Sequence, residues 1–318
     1  PKQHLLKLLE PCIILNQQQD VELANYLFSL FKKLYRLNES SEIWLALQTG
    51  QHKQHLKQFC FLVNDLISFL YESHHAYSSR ELRSEDWQDD VKSLQYRTMK
   101  FPNVSGKRQQ MIKNIGLHQI VLQFLKENFF MLQNVQETQK LICRPFFYCF
   151  DFLHGFIQKN SIENKRLLQD ENALLFKYLN YVDLGQSLVI SELYYNNVTL
   201  CKRMNEKLLA TVIDKITLKG MPNKRISDGV FSPTLAQFLL NICIVDEKPD
   251  VENLEMVMKI ISNAAVLRNL LFLDQIKKQV GTASVSQYLF NLDVKNILSG
   301  MVPYIYHSML LKVINSIF

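Results

Sequence analysis

The sequence predicts an all-α protein built as a stacked array of helices. Three observations predict it. Nine glycines and eight prolines occur in 318 residues, well under the average usage of about 12% for the two together. A βαβ enzyme needs glycines at its turns, and an all-β domain needs turn residues every few positions. Hydrophobic residues are 47% of the chain and charged residues 21%, so a large core can form and disorder is excluded. Apolar residues also recur at the three-and-four spacing of one helical face, with no strand alternation of useful length.

The elements follow in chain order. Over 21–37, Leu23, Tyr26, Leu27, Leu30, Phe31, Leu34 and Tyr35 line one helical face. Asp20 stands at the expected N-cap and Asn38 ends the run. Residues 51–73 form a second long helix, striped by Leu56, Phe59, Cys60, Val63, Leu66, Ile67 and Leu70. A third begins near Ser84 and carries Trp87, Val91 and Leu94. The stretch from Met99 to Gly106 reads as a linker. Later helices of about 8–25 residues alternate with short polar joints, at Asn160-Ser161, Asn180, Gly220-Met221-Pro222-Asn223, Ser227-Asp228-Gly229 and Lys248-Pro249-Asp250. Pro145 falls within an apolar helical run at 137–158 and predicts a kink or boundary there. Leu117, Val121, Leu122, Leu125, Phe146, Phe150, Leu153, Leu167, Leu168, Leu200, Phe238 and Leu239 are the expected core. Wide apolar faces and short joints suit an armadillo- or HEAT-like solenoid, although no fixed repeat period is visible. Three segments are expected: an N-terminal helical segment 1–100, a helical domain 101–260, and further helices of the same array over 261–318.

Motifs for catalysis are missing. There is no GxGxxG and no GxxxxGK[ST]; Gly106-Lys107-Arg108 only mimics the end of a phosphate loop, with no strand before it. His74 and His75 are adjacent and point to different helix faces, so they cannot clamp a metal as an i,i+4 pair would. His118 sits among Leu117, Ile120 and Val121 and reads as a structural histidine. Glu85, Asp86, Asp89 and Asp90 belong near a helix start, where carboxylates favour the dipole. No residue marks a nucleophile elbow. The expectation is no enzyme, no cofactor and no bound metal.

Cys12, Cys60, Cys143, Cys149, Cys201 and Cys243 include no CxxC pair, which excludes zinc-ribbon and thioredoxin readings. Their apolar neighbours predict buried free thiols in a reducing cytosol. The most apolar stretches are interrupted by Asp65, by Arg144 and Asp151, and by Lys312, so none offers the roughly 18 uncharged residues of a membrane helix. The first residue is Pro1 rather than Met, and a fragment of a longer chain is expected.

The net charge of +6 is mild, weak for a nucleic-acid binder. Its distribution is uneven. Between Asp90 and Glu127 no acidic residue occurs, while Lys92, Arg97, Lys100, Lys107, Arg108, Lys113 and Lys126 do. A field of one sign attracts an acidic surface. Lys107, Arg108 and Lys113 are the candidate contacts to an acidic partner; the alternative is an ordinary solvated linker with flanking helix faces. Lys107 falls in the first turn of a helix starting near Gly106, where a cation opposes the dipole, so a compensating acidic neighbour is expected in the chain or on another subunit.

Four blocks carry a family resemblance. Gly106-Lys107-Arg108-Gln109-Gln110-Met111-Ile112-Lys113-Asn114-Ile115-Gly116-Leu117-His118, running into Val121-Leu122-Gln123-Phe124-Leu125, is the first. The second is Asn160-Ser161-Ile162-Glu163-Asn164-Lys165-Arg166-Leu167-Leu168. The third is Tyr195-Asn196-Asn197-Val198-Thr199-Leu200-Cys201 with Met204-Asn205-Glu206, and the fourth Leu235-Ala236-Gln237-Phe238-Leu239-Leu240-Asn241-Ile242-Cys243. In this order they resemble the helical homology domain shared by inositol trisphosphate receptors and ryanodine receptors, most like its second, central copy in the former. The likeness spans about 106–260. Physically the blocks are fold signals: asparagines where helices start, then leucines for the buried face.

The resemblance implies a cytosolic regulatory domain of an intracellular calcium-release channel, on an endoplasmic-reticulum-type membrane. It would relay ligand-induced movement or offer a protein-binding surface to other domains or subunits of a homotetramer. It implies no ligand site here. At the positions of the ligand-binding copy's basic clusters this chain has Gly106, Gln110 and Lys113, then Ser161, Ile162 and Glu163. Only Lys113 is basic, and several phosphates need several Arg or Lys donors. The alternative is a cytoplasmic, non-channel scaffold reusing the same helical domain. Neither reading involves nucleic acid or direct membrane insertion by this chain.

Overall fold

A computed structural model describes residues 2–39, 53–71, 104–132, 140–159, 162–179, 184–216 and 233–263. These residues form twelve α-helices, one 3-10 turn and one two-stranded hairpin. The protein is all-α. Two compact units divide the chain, Pro1–Ser161 and Ile162–Phe318. The division falls at 161/162 rather than near 100 or 260. The helices before residue 72 pack with those after 104 in one body, because their apolar stripes face the same aromatic core.

In the first unit, α1 (Lys2–Asn38) and α2 (Lys53–Leu70) precede α3 (Gly106–Ile115), α4 (Leu117–Asn128), the 3-10 turn Phe129–Leu132 and α5 (Lys140–Ile157). α1 begins far ahead of Asp20, so Asp20 is an interior residue and not an N-cap. No glycine or proline interrupts 12–20, and Gln17-Gln18-Gln19 favours helix. The buried stripe of α1 is also narrower than expected: Leu27, Leu30 and Leu34 are buried, whereas Tyr26 and Tyr35 are exposed. On α2 every stripe residue from Leu56 to Leu70 is buried.

Aromatic rings join α2, α4 and α5. Phe59 stacks on Phe124 at 4.3 Å between centroids, and Phe124 meets Phe146 at 5.3 Å. α5 runs unbroken through Pro145, so the expected boundary does not occur. Pro145 removes one backbone hydrogen bond. Phe146, Phe150, Leu153 and Phe156 are buried on the same helix, and each such side chain contributes about 1.5–3 kcal/mol, which outweighs that loss. Gly116 joins α3 to α4 at φ 82°, a left-handed conformation that favours glycine. Its N–H reaches the Ile112 and Lys113 carbonyls and closes the end of α3.

The second unit contains α6 (Ile162–Gln169), α7 (Asn172–Tyr178), α8 (Gln186–Tyr194), α9 (Val198–Cys201), α10 (Glu206–Ile216) and α11 (Pro233–Cys243). A hairpin of β1 (Ile244–Val245) and β2 (Lys248–Pro249) leads into α12 (Val251–Ile261). The joint at Lys248-Pro249-Asp250 is thus half strand. Asp246 and Glu247 both have positive φ, 49° and 62°, the backbone of a tight two-residue turn. Tyr194, Phe176 and Phe238 pack edge to face at the centre, with Tyr194 and Phe238 centroids 5.0 Å apart.

Of the twelve expected core residues, Leu167 is the exception, 39% exposed, while its neighbour Leu168 is fully buried. Adjacent residues lie about 100° apart on a helix, so only one of two consecutive leucines faces the core. The helix expected near Ser84 and the joints at 180, 220–223 and 227–229 lie outside the described residues, as do most of 261–318.

Candidate functional site

The candidate contacts Lys107, Arg108 and Lys113 all stand on α3, and the structure gives them different work. Lys107 forms an ion pair with Asp20 of α1. The acidic group beside this first-turn cation therefore belongs to the same unit. Both side chains are exposed, and such a pair is worth only about 0–1 kcal/mol.

Arg108 meets the end of α2. Its Nη1 donates to the Phe69 carbonyl at 2.8 Å, and its guanidinium lies 4.9 Å from the centre of the Phe69 ring. The last carbonyls of a helix lack intrahelical partners. Arg108 supplies one at the end of α2, while the Ser105 N–H supplies the next by donating to the Leu70 carbonyl at 3.3 Å.

Gln109 was not anticipated as a site residue. It is buried, and its Nε2 donates to the carbonyls of Gly155 at 2.8 Å and Gln158 at 3.0 Å. These carbonyls end α5. Three consecutive residues, Lys107, Arg108 and Gln109, thus hold three different helices: α1, α2 and α5. Successive side chains on a helix point about 100° apart, which lets one turn of α3 reach three neighbours. The only sequence signal was the polar run itself at the start of a resembling block.

Lys113 lies in the last turn of α3, where a cation favours the dipole. It neighbours His118, which is buried and stacked on Phe156 at 4.9 Å with rings 11° apart. Burial, with Lys113 adding to it, lowers the His118 pKa against the opposing effect of the Ile112 carbonyl.

In the second unit the blocks meet one another. Lys165, on α6, is buried; its Nζ donates to the Tyr195 carbonyl at 2.9 Å and pairs with Glu192 at 3.2 Å. Burial pulls its pKa down and Glu192 opposes this. The two asparagines after Tyr195 divide their roles. Asn197 caps α9 by accepting from the Leu200 N–H at 3.3 Å. Asn196 instead adopts φ 51° and accepts the Asp246 N–H at 3.2 Å, which ties the hairpin turn to α8. Asn160 lies outside the described residues.

Two buried asparagines complete the joints. Asn241 donates to the Ser191 carbonyl at 2.8 Å. Asn253 donates to the carbonyls of Cys201 at 3.1 Å and Ile242 at 3.0 Å. Nothing in the local sequence marks Asn253, because its partners stand 52 and 11 residues away.

The five described cysteines, Cys60, Cys143, Cys149, Cys201 and Cys243, are buried free thiols, and burial raises the pKa of Cys60, Cys201 and Cys243 to about 12. Among the described residues no group of histidine, cysteine, aspartate or glutamate could hold a metal, and no helix is long and apolar enough to cross a membrane. Of the positions matched to the family's ligand clusters, Gly106, Gln110 and Lys113 lie on α3 and Ile162 and Glu163 open α6, while Ser161 is outside the described residues. No family model and no curated protein matches this chain. The fold and its joints define a class: a helical protein whose polar side chains couple helices.

Proposed function

We infer that the chain is a regulatory helical domain of an intracellular calcium-release channel resembling the inositol trisphosphate receptor. It relays conformational change between neighbouring parts of that protein, or offers them a binding surface. It works on the cytosolic side of an endoplasmic-reticulum-type membrane, within a homotetramer.

One observation carries this reading: four sequence blocks resemble the family's helical domain in family order. Their placement supports it. Lys165 of the second block holds Tyr195 of the third, and Asn253 spans Cys201 of the third and Ile242 of the fourth. Side chains at such joints transmit a shift of one helix to the next. The chain does not bind inositol trisphosphate, because Lys113 is the sole cation among the positions compared.

The test uses the complete protein that contains this chain. It is expressed in cells lacking endogenous receptors, and its membrane association and ligand-evoked calcium release are measured. Release from internal stores, altered by Arg108→Ala in the intact protein, supports the reading. A complete protein that fractionates as soluble and releases no calcium overturns it in favour of a non-channel scaffold.

A further inference from the structure

Four non-glycine residues among those described have a positive φ, and three of them meet at one joint. Asn196, at φ 51°, accepts the N–H of Asp246, at φ 49°, and Glu247 follows at φ 62°. Asparagine and aspartate tolerate this left-handed region, but a glutamate there is strained. The turn that places two residues in it favours Asn-Gly, and here it holds Asp246-Glu247. Such strain persists only where surrounding contacts enforce it, and it gathers at clamps and switches.

The hairpin that carries the strain holds itself poorly. Its strands have two residues each, and Ile244 opposes Pro249, which offers no N–H to the pairing. A two-stranded hairpin is marginal even with longer strands. Groups around it close it. Asn196 holds the turn. The Asp250 N–H donates to the Cys243 carbonyl at 2.8 Å, and Asp250 caps α12 by accepting the Asn253 N–H at 3.1 Å. Through one nitrogen, Asn253 holds Cys201 at the end of α9 and Ile242 in the last turn of α11. Cys201 and Cys243 are both buried at this joint. Burial, then the carboxylates of Asp250 and Asp246, raise the Cys201 pKa to about 12, and burial and Asp250 do the same for Cys243. The acidic groups of the hairpin and its exit thus stand near both thiols.

We propose that the hairpin and α12 form a latch, which opens as one piece while α8 and α11 stay folded, frees the ends of α9 and α11, and uncovers Cys201 and Cys243. Strain at Glu247 favours the open state, and Asn196 and Asn253 hold the closed one. The latch rests on the contacts of this joint and not on the channel reading.

The experiment treats the 318-residue chain with N-ethylmaleimide at several low urea concentrations and follows each cysteine by peptide mass spectrometry. Local opening exposes little surface, so the rates at Cys201 and Cys243 should barely depend on urea. They should also exceed those at Cys60 and Cys149, which are buried in the first unit. Asn253→Ala raises both rates together, about tenfold. Glu247→Gly removes the strain from the closed joint and lowers both, about fivefold. Cys60 keeps its parental rate in both variants. Rates at Cys201 and Cys243 that rise with urea as steeply as global unfolding overturn the latch. So do variants that move one of the two thiols without the other, or a Glu247→Gly variant that labels as fast as the parent or faster.

Discussion

The side-chain amide of Gln109, in the first turns of α3, donates to the backbone carbonyl of Gly155 at the end of α5, 2.8 Å away. The same nitrogen reaches the Gln158 carbonyl, so one buried glutamine closes the end of a helix 46 residues on. Gly155 also lets the end of α2 come close to α5. A Cβ at Gly155 would lie 3.2 Å from the Tyr71 hydroxyl and 3.3 Å from Leu70 Cδ1.

Gln109→Ala leaves two helix-terminal carbonyls without their donor in a buried place. Loss of about 1–3 kcal/mol is expected, read by urea unfolding of the chain. An unchanged midpoint would mean that water replaces Gln109 at no cost.

Replacing Gly116 tests the turn between α3 and α4. At φ 82° an alanine is strained by about 1 kcal/mol or more, and Gly116→Asn should cost less because asparagine tolerates this region. Thermal unfolding that ranks alanine above asparagine would contradict the turn geometry.

Lys165→Met removes the partner of Glu192 and of the Tyr195 carbonyl. Breaking a buried pair on one side costs about 3 kcal/mol. The double variant Lys165→Met with Glu192→Gln should lose less than the two single losses added together. Strict additivity in a double-mutant cycle would show that the two groups do not interact.

His118 gives a dependence on pH. Its folded pKa lies below the unfolded value near 6.5, chiefly through burial. The unfolded chain then binds the proton more readily than the folded one, so this contribution to stability is complete above that pH and falls as the pH drops below it. Denaturant unfolding at pH 7.5 and pH 5.5 should show a smaller drop for His118→Gln than for the parent. An equal drop in both would assign the pH dependence to other groups.

Isothermal titration of the 318-residue chain with inositol trisphosphate should give no saturable heat. Micromolar or tighter binding that Lys113→Ala abolishes would show that the missing charges are supplied elsewhere.

Some of this protein was legible from the sequence by itself. Periodicity located α2, α4 and α5 and eleven of the twelve core residues, because a helix that buries one face repeats its leucines and phenylalanines every three or four positions. Asn197 as a cap was equally readable, since its partner is only three residues away. Only the tertiary structure decided the rest. Asp20 reads locally as a helix start, yet it lies inside α1 and meets Lys107, a residue 87 positions on. Pro145 reads as a kink or a boundary, and the boundary does not occur, because the helix buries aromatic side chains on both sides of it. Lys107 reads as a first-turn cation in want of an acidic neighbour and Arg108 as a contact to an acidic partner; that the first meets Asp20 and the second the Phe69 carbonyl at the end of α2 follows from the packing. Local periodicity reports which face of a helix is apolar. Which carbonyl or carboxylate a polar side chain finds depends on where distant helix ends come to rest, and packing alone brings those together.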